Sequence, residues 1–156
     1  MPTGDTTLIA ANRRARRNYD ISETLEAGIV LHGSEVKSLR EAQVQIADGF
    51  VRFEGREAWL VGVHVAPYMH SQTHSGHDPD RPRKLLMHRK ELDRLRHLMD
   101  VERISIVPLS LYFKGGRAKV ELGVGKGRKL HDKRDVVAKR DAEREVQRAL
   151  AQRTRD

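Results

Sequence analysis

A long alternation of apolar and polar residues from Tyr19 to Leu31 constrains the fold of this 156-residue chain more than any other stretch. A period of two over such a run is typical of a strand with one buried face. The pattern stops at His32-Gly33, and Ser34 then predicts the start of a helix, because its hydroxyl can cap backbone N–H groups. The sequence therefore predicts a long strand that leads directly into a short helix.

The short helix after Ser34 has one narrow apolar face. Val36 and Leu39 share that face, so we expect them to cover one end of the folded domain. Its other side chains are expected to face water, with Glu35 pairing to one of two basic neighbours. These water-facing residues are Glu35, Lys37, Ser38 and Arg40.

The remaining chain as far as Val124 consists mainly of short β-type segments separated by turns. Period-two patterns, turn residues and one amphipathic pattern predict the following elements. They are strands at Leu8–Ala11, Phe50–Glu54, Ala58–Val65, Ile104–Phe113 (with an edge or bulge at Pro108) and Val120–Val124, and a helix at Arg89–Met99. Because strands and helices do not alternate regularly, we predict a mainly β fold with short helices. A small closed antiparallel barrel of the oligonucleotide-binding (OB) type suits the length and charge.

The overall charge points to an anionic partner. The chain has 30 Lys and Arg against 22 Asp and Glu, which gives a net charge of +8. Small proteins this basic most often meet nucleic acid or an anionic membrane surface. Cysteine is absent, which excludes disulfides, thiolate catalysis and cysteine-ligated zinc. No apolar stretch has the length of a signal peptide core or a membrane span, so we expect a soluble, cytoplasmic protein without a membrane partner.

Two segments concentrate the positive charge. Asn12–Arg17 holds four arginines, and we interpret it as a phosphate-binding patch; a solvated loop or a nuclear-localisation signal is the alternative. Lys126–Asp156 holds 11 Lys and Arg against 6 Asp and Glu, with few large apolar residues. Such a tail cannot bury enough surface to order itself, but it is rich in helix formers. We therefore expect a flexible N-terminus (1–7), a barrel (8–124) and a basic tail (125–156) that is disordered alone and folds on RNA, with a merely solvated tail as the alternative.

Histidines in one loop are the only candidates for metal binding or hydrolysis. His70, His74 and His77 lie there with Asp78, but no cysteine accompanies them, and histidines in such loops are usually solvated. An RNA hydrolase would need a pair of acid–base groups or a metal cluster. We predict no metal, no cofactor and no enzymatic activity.

Seven segments resemble one protein family, in the same order along the chain. They are Ile9–Arg16, Glu26–Leu31, Gly33–Arg40, Pro67-Tyr68, Arg83–Leu86, Val107–Leu109 and Gly127–Arg134. Together they resemble the SmpB family, the bacterial SsrA-binding proteins that partner transfer-messenger RNA (tmRNA). The resemblance implies a six-stranded OB-type barrel with three helices, a tail that is disordered in free solution, and no catalysis.

The resemblance also implies a function in trans-translation. Proteins of this family bind the tRNA-like domain of tmRNA and stand in for its missing anticodon arm. Their tail enters the vacant messenger channel and the decoding centre of a stalled ribosome, and elongation factor Tu delivers the complex through the RNA. The implied partners of this chain are therefore tmRNA, the stalled ribosome and, indirectly, elongation factor Tu.

Site residues follow from the matched motifs. The resemblance implies tmRNA contacts at Asn12, Glu26 and Leu86, and we add the basic residues Arg13, Arg14, Arg16, Lys37, Arg40, Arg83 and Lys84. In the tail it implies ribosome contacts at Lys126, Arg128, Lys129, His131, Asp132, Lys133, Arg134 and Leu150. Arginines position phosphates. Glu26 can accept from a base amino group or a ribose hydroxyl, or it can serve in a structural ion pair.

A general single-stranded RNA-binding barrel is the alternative function. Such proteins normally stack successive bases on several exposed aromatic rings. This chain has three Phe, three Tyr and one Trp, and most of them fall at positions with a core pattern. The aromatic content therefore favours a structured RNA as the partner.

Overall fold

The computed structural model describes residues 6–68, 77–128 and 130–153. Nine strands and four helices follow one another in these ranges. They are β1 (Thr6–Ala11), α1 (Ala15–Asn18), β2 (Tyr19–Ile29), α2 (Gly33–Arg40), β3 (Val44–Gln45), β4 (Phe50–Glu54), β5 (Glu57–Val61), β6 (His64–Val65), β7 (Arg83–Leu86), α3 (Arg89–Val101), β8 (Ser105–Lys114), β9 (Arg117–Gly127) and α4 (Leu130–Arg153). The prediction of a mainly β fold with short helices is confirmed.

Seven strands form one antiparallel sheet in the order β1-β8-β9-β2-β7-β5-β4. The long β2 pairs with β9 from Tyr19 opposite Gly127 to Gly28 opposite Lys119, and its last residues pair with β7. Strands β8 and β9 form a hairpin whose turn contains two glycines with positive φ, Gly115 and Gly116. Strands β3 and β6 pair separately. The strand predicted from Tyr19 is thus a central strand of the sheet.

The prediction of a closed barrel is wrong for the described strands. The two edges of the seven-stranded sheet are β1 and β4, and no ladder joins them. Strand β4 approaches β8 without pairing to it. The backbone N–H of Asn12 donates to the Leu109 carbonyl and its side-chain Nδ2 donates to the Pro108 carbonyl, while Pro108 has no N–H to give. The carbonyls of Pro108 and Leu109 in β8 are thus taken by Asn12 rather than by β4.

The hydrophobic core lies between the sheet and the helices α2 and α3. Leu39 from α2 and Leu95 from α3 are essentially inaccessible, and they pack with Leu60, Leu111 and Leu122 from the strands. Leu39 is buried as predicted, whereas Val36, expected on the same apolar face, is only partly buried. Within the described ranges, no helix is both long and apolar enough to span a membrane.

The prediction that Glu35, Lys37, Ser38 and Arg40 all face water is partly wrong. Glu35 and Ser38 are buried rather than solvated. Ser34 does not cap the helix, which begins at Gly33; the backbone N–H of His32 instead donates to the Glu35 carboxylate at 2.8 Å. The buried Ser38 hydroxyl donates to the Ala66 carbonyl at 2.7 Å. Helix α2 is therefore anchored by polar groups as well as by Leu39.

Two of the expected domain boundaries also differ from the ends of the strands in the structure. Thr6 and Thr7, expected in a flexible N-terminus, belong to β1, where they lie opposite Lys114 and Phe113. Strand β9 continues to Gly127, so Lys126 belongs to the sheet rather than to the tail. Residues 1–5 lie outside the described ranges. The tail itself is the helix α4, and all of its described side chains, from Ala138 to Ala151, are exposed.

Candidate nucleic-acid interface

A cleft of about 410 Å³ lies where β2, β7 and the start of α3 meet. Glu26, Gly28, Leu86 and Lys119 line it together with Met87 and His88, which precede α3, and Glu91 from its first turn. Leu86 is 53% exposed although it is a large apolar residue. An exposed leucine beside a carboxylate and an amine makes a cleft with both an apolar wall and polar groups, which is typical of a binding site.

The floor of this cleft is open because Gly28, which pairs with Leu86, has no side chain. Gly28 and Leu86 are opposite each other in the β2–β7 ladder. A Cβ atom at Gly28 would lie 3.3 Å from the Leu86 Cβ and 3.7 Å from Lys119 Nζ. A larger side chain at Gly28 would therefore occupy the space between the apolar wall and the amine.

The carboxylate of Glu26 is held by two groups of β8. The Tyr112 hydroxyl donates to Glu26 Oε2 at 2.5 Å, and Lys114 Nζ donates to the same oxygen at 3.4 Å. The hydrogen bond from Tyr112 is the main cause that lowers the pKa of Glu26 below its ordinary value. Burial, followed by this hydrogen bond, raises the pKa of Tyr112. Glu26 is therefore an ionised acceptor at neutral pH, and Oε1 makes no hydrogen bond within the described ranges.

Arg83 is not a surface residue, and its prediction as an RNA contact is wrong. Its side chain is fully buried, whereas the next residue, Lys84, is partly exposed and pairs with Glu57 at 3.2 Å. The guanidinium donates to the carbonyls of Val63 and Pro79 and to the carboxylate of Glu35. Each of its three guanidinium nitrogens donates to an interior acceptor, so Lys84 is the residue of this pair that lies at the surface.

Glu35 is the centre of a buried ion cluster. Its two oxygens accept from Arg81 and Arg83, at 2.5 Å in each case. Burial acts to raise the pKa of Glu35, but hydrogen bonds from Arg81, the His32 backbone and Arg83 outweigh it and lower that pKa. The expected pairing of Glu35 with Lys37 or Arg40 is therefore wrong. The cluster ties α2 to the segment that leads into β7.

The other predicted cations of α2 lie at the surface. Lys37 Nζ sits 5.5 Å from the centre of the Tyr68 ring, and the Arg40 guanidinium sits 5.6 Å from that of Phe113. Both distances are within the range of cation–π contacts. The two side chains are exposed and keep their charges accessible.

The arginine run of Asn12–Arg17 leads into α1, and its last two arginines belong to that helix. Arg13, Arg14 and Arg16 are exposed, as expected for a phosphate-binding patch. Asn12 is different, because its backbone N–H and its side-chain Nδ2 both donate to carbonyls of β8, while its Oδ1 is buried without a partner in the described structure. The side chain of Asn12 is therefore held against β8.

Comparison with known proteins decides the family. The chain matches the family described as "SmpB protein" over residues 9–152. The chain belongs to the SmpB family. It is 50% identical over 154 residues to the SsrA-binding protein of Chloroflexus aggregans, with 99% of this chain and 98% of that protein covered. It is 51% identical over 148 residues to the SsrA-binding protein of a Roseiflexus species, with 95% and 94% covered.

A solved structure supports the same assignment. Its description is "tmRNA-SmpB: a journey to the center of the bacterial ribosome". The matching chain is 44% identical to this one and superposes with a TM-score of 0.65. The match covers 82% of this chain and 93% of that chain. The resemblance to SmpB found from the motifs is thus confirmed.

The tail residues implied by the SmpB resemblance fall in two structural settings. Lys126 lies opposite Asp20 in the β2–β9 ladder, and Arg128 lies 3.6 Å from the Asp20 carboxylate. Further along, Leu150 is 57% exposed on α4. His131, Asp132, Lys133 and Arg134 belong to the helical backbone of α4, and Lys129 lies outside the described ranges. The first two cations are therefore parts of the folded domain of this SmpB-family chain.

The loop histidines are only partly described. His70 and His74 lie outside the described ranges. His77 Nε2 donates to the Val65 carbonyl at 2.8 Å, so its Nδ1 accepts from the Ser34 hydroxyl at 2.9 Å. Asp78 accepts from the Asp80 backbone N–H. No group of three His, Asp or Glu in the described part of the chain is placed to hold a metal ion.

The structure brings Glu26 and Leu86 to one cleft but places Asn12 elsewhere. Two further residues line the Glu26 cleft, Gly28 and Lys119, and two others hold the Glu26 carboxylate, Tyr112 and Lys114. None of the four was predicted as a site residue from the sequence. Their strands were predicted at least in part, but the strand order β8-β9-β2-β7 was not. Only that order shows which alternating positions share a surface with Glu26.

Proposed function

We propose that this chain binds the tRNA-like domain of tmRNA and delivers it to stalled ribosomes for trans-translation. The observation that carries the proposal is the cleft in which the ionised Glu26 and the exposed Leu86 lie side by side. Membership of the SmpB family, the names of the SsrA-binding relatives and the described tmRNA–SmpB structure support it. The protein acts as an adaptor in the cytoplasm, and it catalyses no reaction.

The cleft supplies complementary groups for a folded RNA. Glu26 Oε1 is an acceptor for a base amino group or a ribose 2′-hydroxyl. Leu86 provides apolar contact beside it. The partly exposed Lys84 of β7 and the exposed Lys37 and Arg40 of α2 pair with phosphates. A carboxylate repels the RNA backbone, so the cations set the affinity while Glu26 selects the position of the RNA.

The tail performs a separate task on the ribosome. Helix α4 carries exposed cations at Lys139, Arg140, Arg144 and Arg148, and no residue of its described part belongs to the core. A highly charged helix whose described side chains, from Ala138 to Ala151, are all exposed gains little stability by itself. In this proposal the tail is disordered in the free protein and becomes helical in the messenger channel. Residues 129–134 then meet the decoding centre, and elongation factor Tu joins through the RNA.

Removal of the tail tests whether RNA binding and ribosome rescue depend on different parts of the chain. A chain that ends at Arg128 keeps all nine strands and the contact of Arg128 with Asp20. It is expected to bind the tRNA-like RNA within about threefold of the full chain but to fail in a tagging assay on stalled ribosomes. Glu26→Ala in the full chain is the matched variant, and it should weaken RNA binding instead. Loss of all RNA binding on truncation would contradict the proposal.

Identification of the bound RNA separates this proposal from general RNA binding. The tagged full chain is captured from its host, and the RNA that is recovered with it is sequenced. One dominant structured RNA is expected. A broad mixture of single-stranded RNA fragments would overturn the adaptor in favour of a general RNA-binding protein.

A further inference from the structure

Trp59 lies on the outward face of the sheet rather than in the core. Its neighbours on β5, Ala58 and Leu60, are essentially inaccessible, so the alternation of side chains along a strand turns Trp59 outward. Trp59 is partly exposed, and because β5 pairs with both β4 and β7, its exposed surface belongs mainly to the side chain. The indole Nε1 has essentially no accessible surface. The accessible part of the side chain therefore consists of carbon atoms, which can stack on a flat ligand.

Cations lie on both sides of Trp59. Arg52 of β4 and Lys84 of β7 are directly opposite it in the two ladders. Each is bound to a carboxylate, Arg52 to Glu54 at 2.8 Å and Lys84 to Glu57 at 3.2 Å. Neither cation covers the indole ring, since the cation–ring contacts found within the described ranges involve other residues. Exposed ion pairs of this kind are weak, so a phosphate can take the place of either carboxylate.

Phe50 is a second exposed ring on the same face. It precedes Arg52 by two residues on β4, so both side chains point outward, and it is 46% exposed. Because Arg52 is opposite Trp59, Phe50 is the diagonal neighbour of Trp59, and such neighbours are about 7–8 Å apart. RNA-binding sheets place aromatic rings on neighbouring strands in this way, and each ring stacks on one base. We call Phe50, Arg52, Trp59 and Lys84 the Trp59 face.

The Trp59 face is continuous with the Glu26 cleft. Leu86, an outward residue of β7, lines that cleft and lies beside the face. Val30, which is bonded to β7 through its backbone, extends the face onto the end of β2. Of the seven exposed large apolar side chains in the described part of the chain, three lie around Trp59; they are Val30, Phe50 and Leu86. Exposed apolar groups gathered in one place mark an interaction surface, and the flanking cations favour RNA as the partner.

We propose that the Trp59 face stacks on unpaired bases of the RNA that the Glu26 cleft binds. In this arrangement Trp59 and Phe50 each contact the flat face of one base, and Arg52 and Lys84 exchange their carboxylates for the flanking phosphates. Stacking requires no particular base, because every base has a π face. The Trp59 face therefore adds affinity, while Glu26 selects the position of the RNA. That this RNA is the tRNA-like domain of tmRNA rests on the proposed function.

Fluorescence tests the Trp59 face directly, because Trp59 is the single tryptophan of the chain. The full-length protein is titrated with the tRNA-like domain of tmRNA and, separately, with a short oligoadenylate that has only unpaired bases. The anisotropy of end-labelled RNA measures binding independently. Both RNAs are expected to quench the fluorescence of Trp59 and to shield it from acrylamide. Unchanged fluorescence and unchanged acrylamide quenching with both RNAs bound would overturn the proposal.

Substitutions on the face and a control assign the roles. Trp59→Leu should weaken both RNAs by about tenfold, as expected when one stacking ring is lost, and Trp59→Phe should keep most of the affinity. Arg52→Glu does not touch the core, and it should weaken binding and lower the slope of log affinity against log salt by about one, as for one lost phosphate contact. Val101→Ala, at an exposed position that ends α3, is the control. Wild-type affinity in folded Trp59→Leu, or a wild-type salt slope in Arg52→Glu, would overturn the proposal.

The two RNAs separate this proposal from the proposed function. If the oligoadenylate quenches Trp59 but the tRNA-like domain does not bind, the stacking face stands and the adaptor function fails. If the tRNA-like domain binds in a manner that depends on Glu26 but not on Trp59 or Arg52, the adaptor function stands and the stacking face fails. Capture from the host with the wild-type chain and with Trp59→Leu covers the other class of partner. Loss of a protein rather than of RNA in the Trp59→Leu capture would overturn the proposal.

Discussion

The carboxylate of Glu35 and the guanidinium of Arg83 meet 2.5 Å apart, and neither side chain is accessible to solvent. Arg81 binds the other oxygen of Glu35 from the same segment. The pair joins the first turn of α2 to the beginning of β7, and β7 carries Lys84 and Leu86 on its outward positions. The buried ion pair thus supports the surface that we propose for RNA binding without touching RNA itself.

Removal of the charge of Glu35 should be costly. Glu35→Gln leaves two guanidinium groups beside a neutral side chain, and loss of one partner of a buried pair typically costs about 3–5 kcal/mol. Urea unfolding measures the change. Glu54→Gln is the control, because the Arg52–Glu54 pair is exposed, and exposed pairs contribute about 0–1 kcal/mol. Equal losses in the two variants would show that burial of Glu35 has no energetic consequence.

Acid should destabilise the protein partly through Glu35. Its pKa in the folded state is lowered from the ordinary value of 4.5, so its contribution is fully present above that value. The contribution is lost as pH falls from there through the folded pKa. Urea midpoints of the wild-type protein and Glu35→Gln should therefore converge below pH 4.5. A constant difference between them down to acid pH would contradict this assignment.

Tyr112 should control the ionisation of Glu26. Tyr112→Phe removes the hydrogen bond that chiefly lowers the pKa of Glu26, so that pKa should rise toward its ordinary value in an NMR titration of the carboxyl carbon. RNA affinity should fall by about two- to tenfold, as is usual when one hydrogen bond is lost. Glu23→Gln is the control on the same strand, since Glu23 pairs with Arg94 outside the cleft. Unchanged titration of Glu26 in Tyr112→Phe would contradict the role.

Helix α4 should contribute little to the stability of the sheet. All its described side chains are exposed, and none belongs to the core. Truncation after Arg128 should therefore change the free energy of unfolding by less than about 0.5 kcal/mol, as for surface changes. Thermal unfolding followed by Trp59 fluorescence measures this change. Amide hydrogen exchange gives a second test, because α4 should exchange much faster than the β2–β9 ladder; equal protection would show a stably packed tail.

Local patterns predicted most elements correctly. The alternation from Tyr19 and the amphipathic pattern of Arg89–Met99 each indicate a backbone conformation that buries apolar groups on one side. The structure has a strand and a helix at these places. The bulge expected at Pro108 is also present, in the pairing of β8 with β9. Such features depend on residues that are close in sequence.

Most of the elements, the basic character of the chain and, through its motifs, its family can therefore be read from the order of the residues alone. The partners of Glu35, Glu26 and Asn12 follow from the tertiary structure: Arg83 is a buried partner of Glu35, Tyr112 holds Glu26, and the Asn12 amide is held against β8. The physical reason is the same in each case. Whether a charged or polar side chain faces water depends on partners far away in the chain, such as Arg83 for Glu35 or Pro108 for Asn12. Those partners are set by the order of strands and the path between them, which period and composition do not encode.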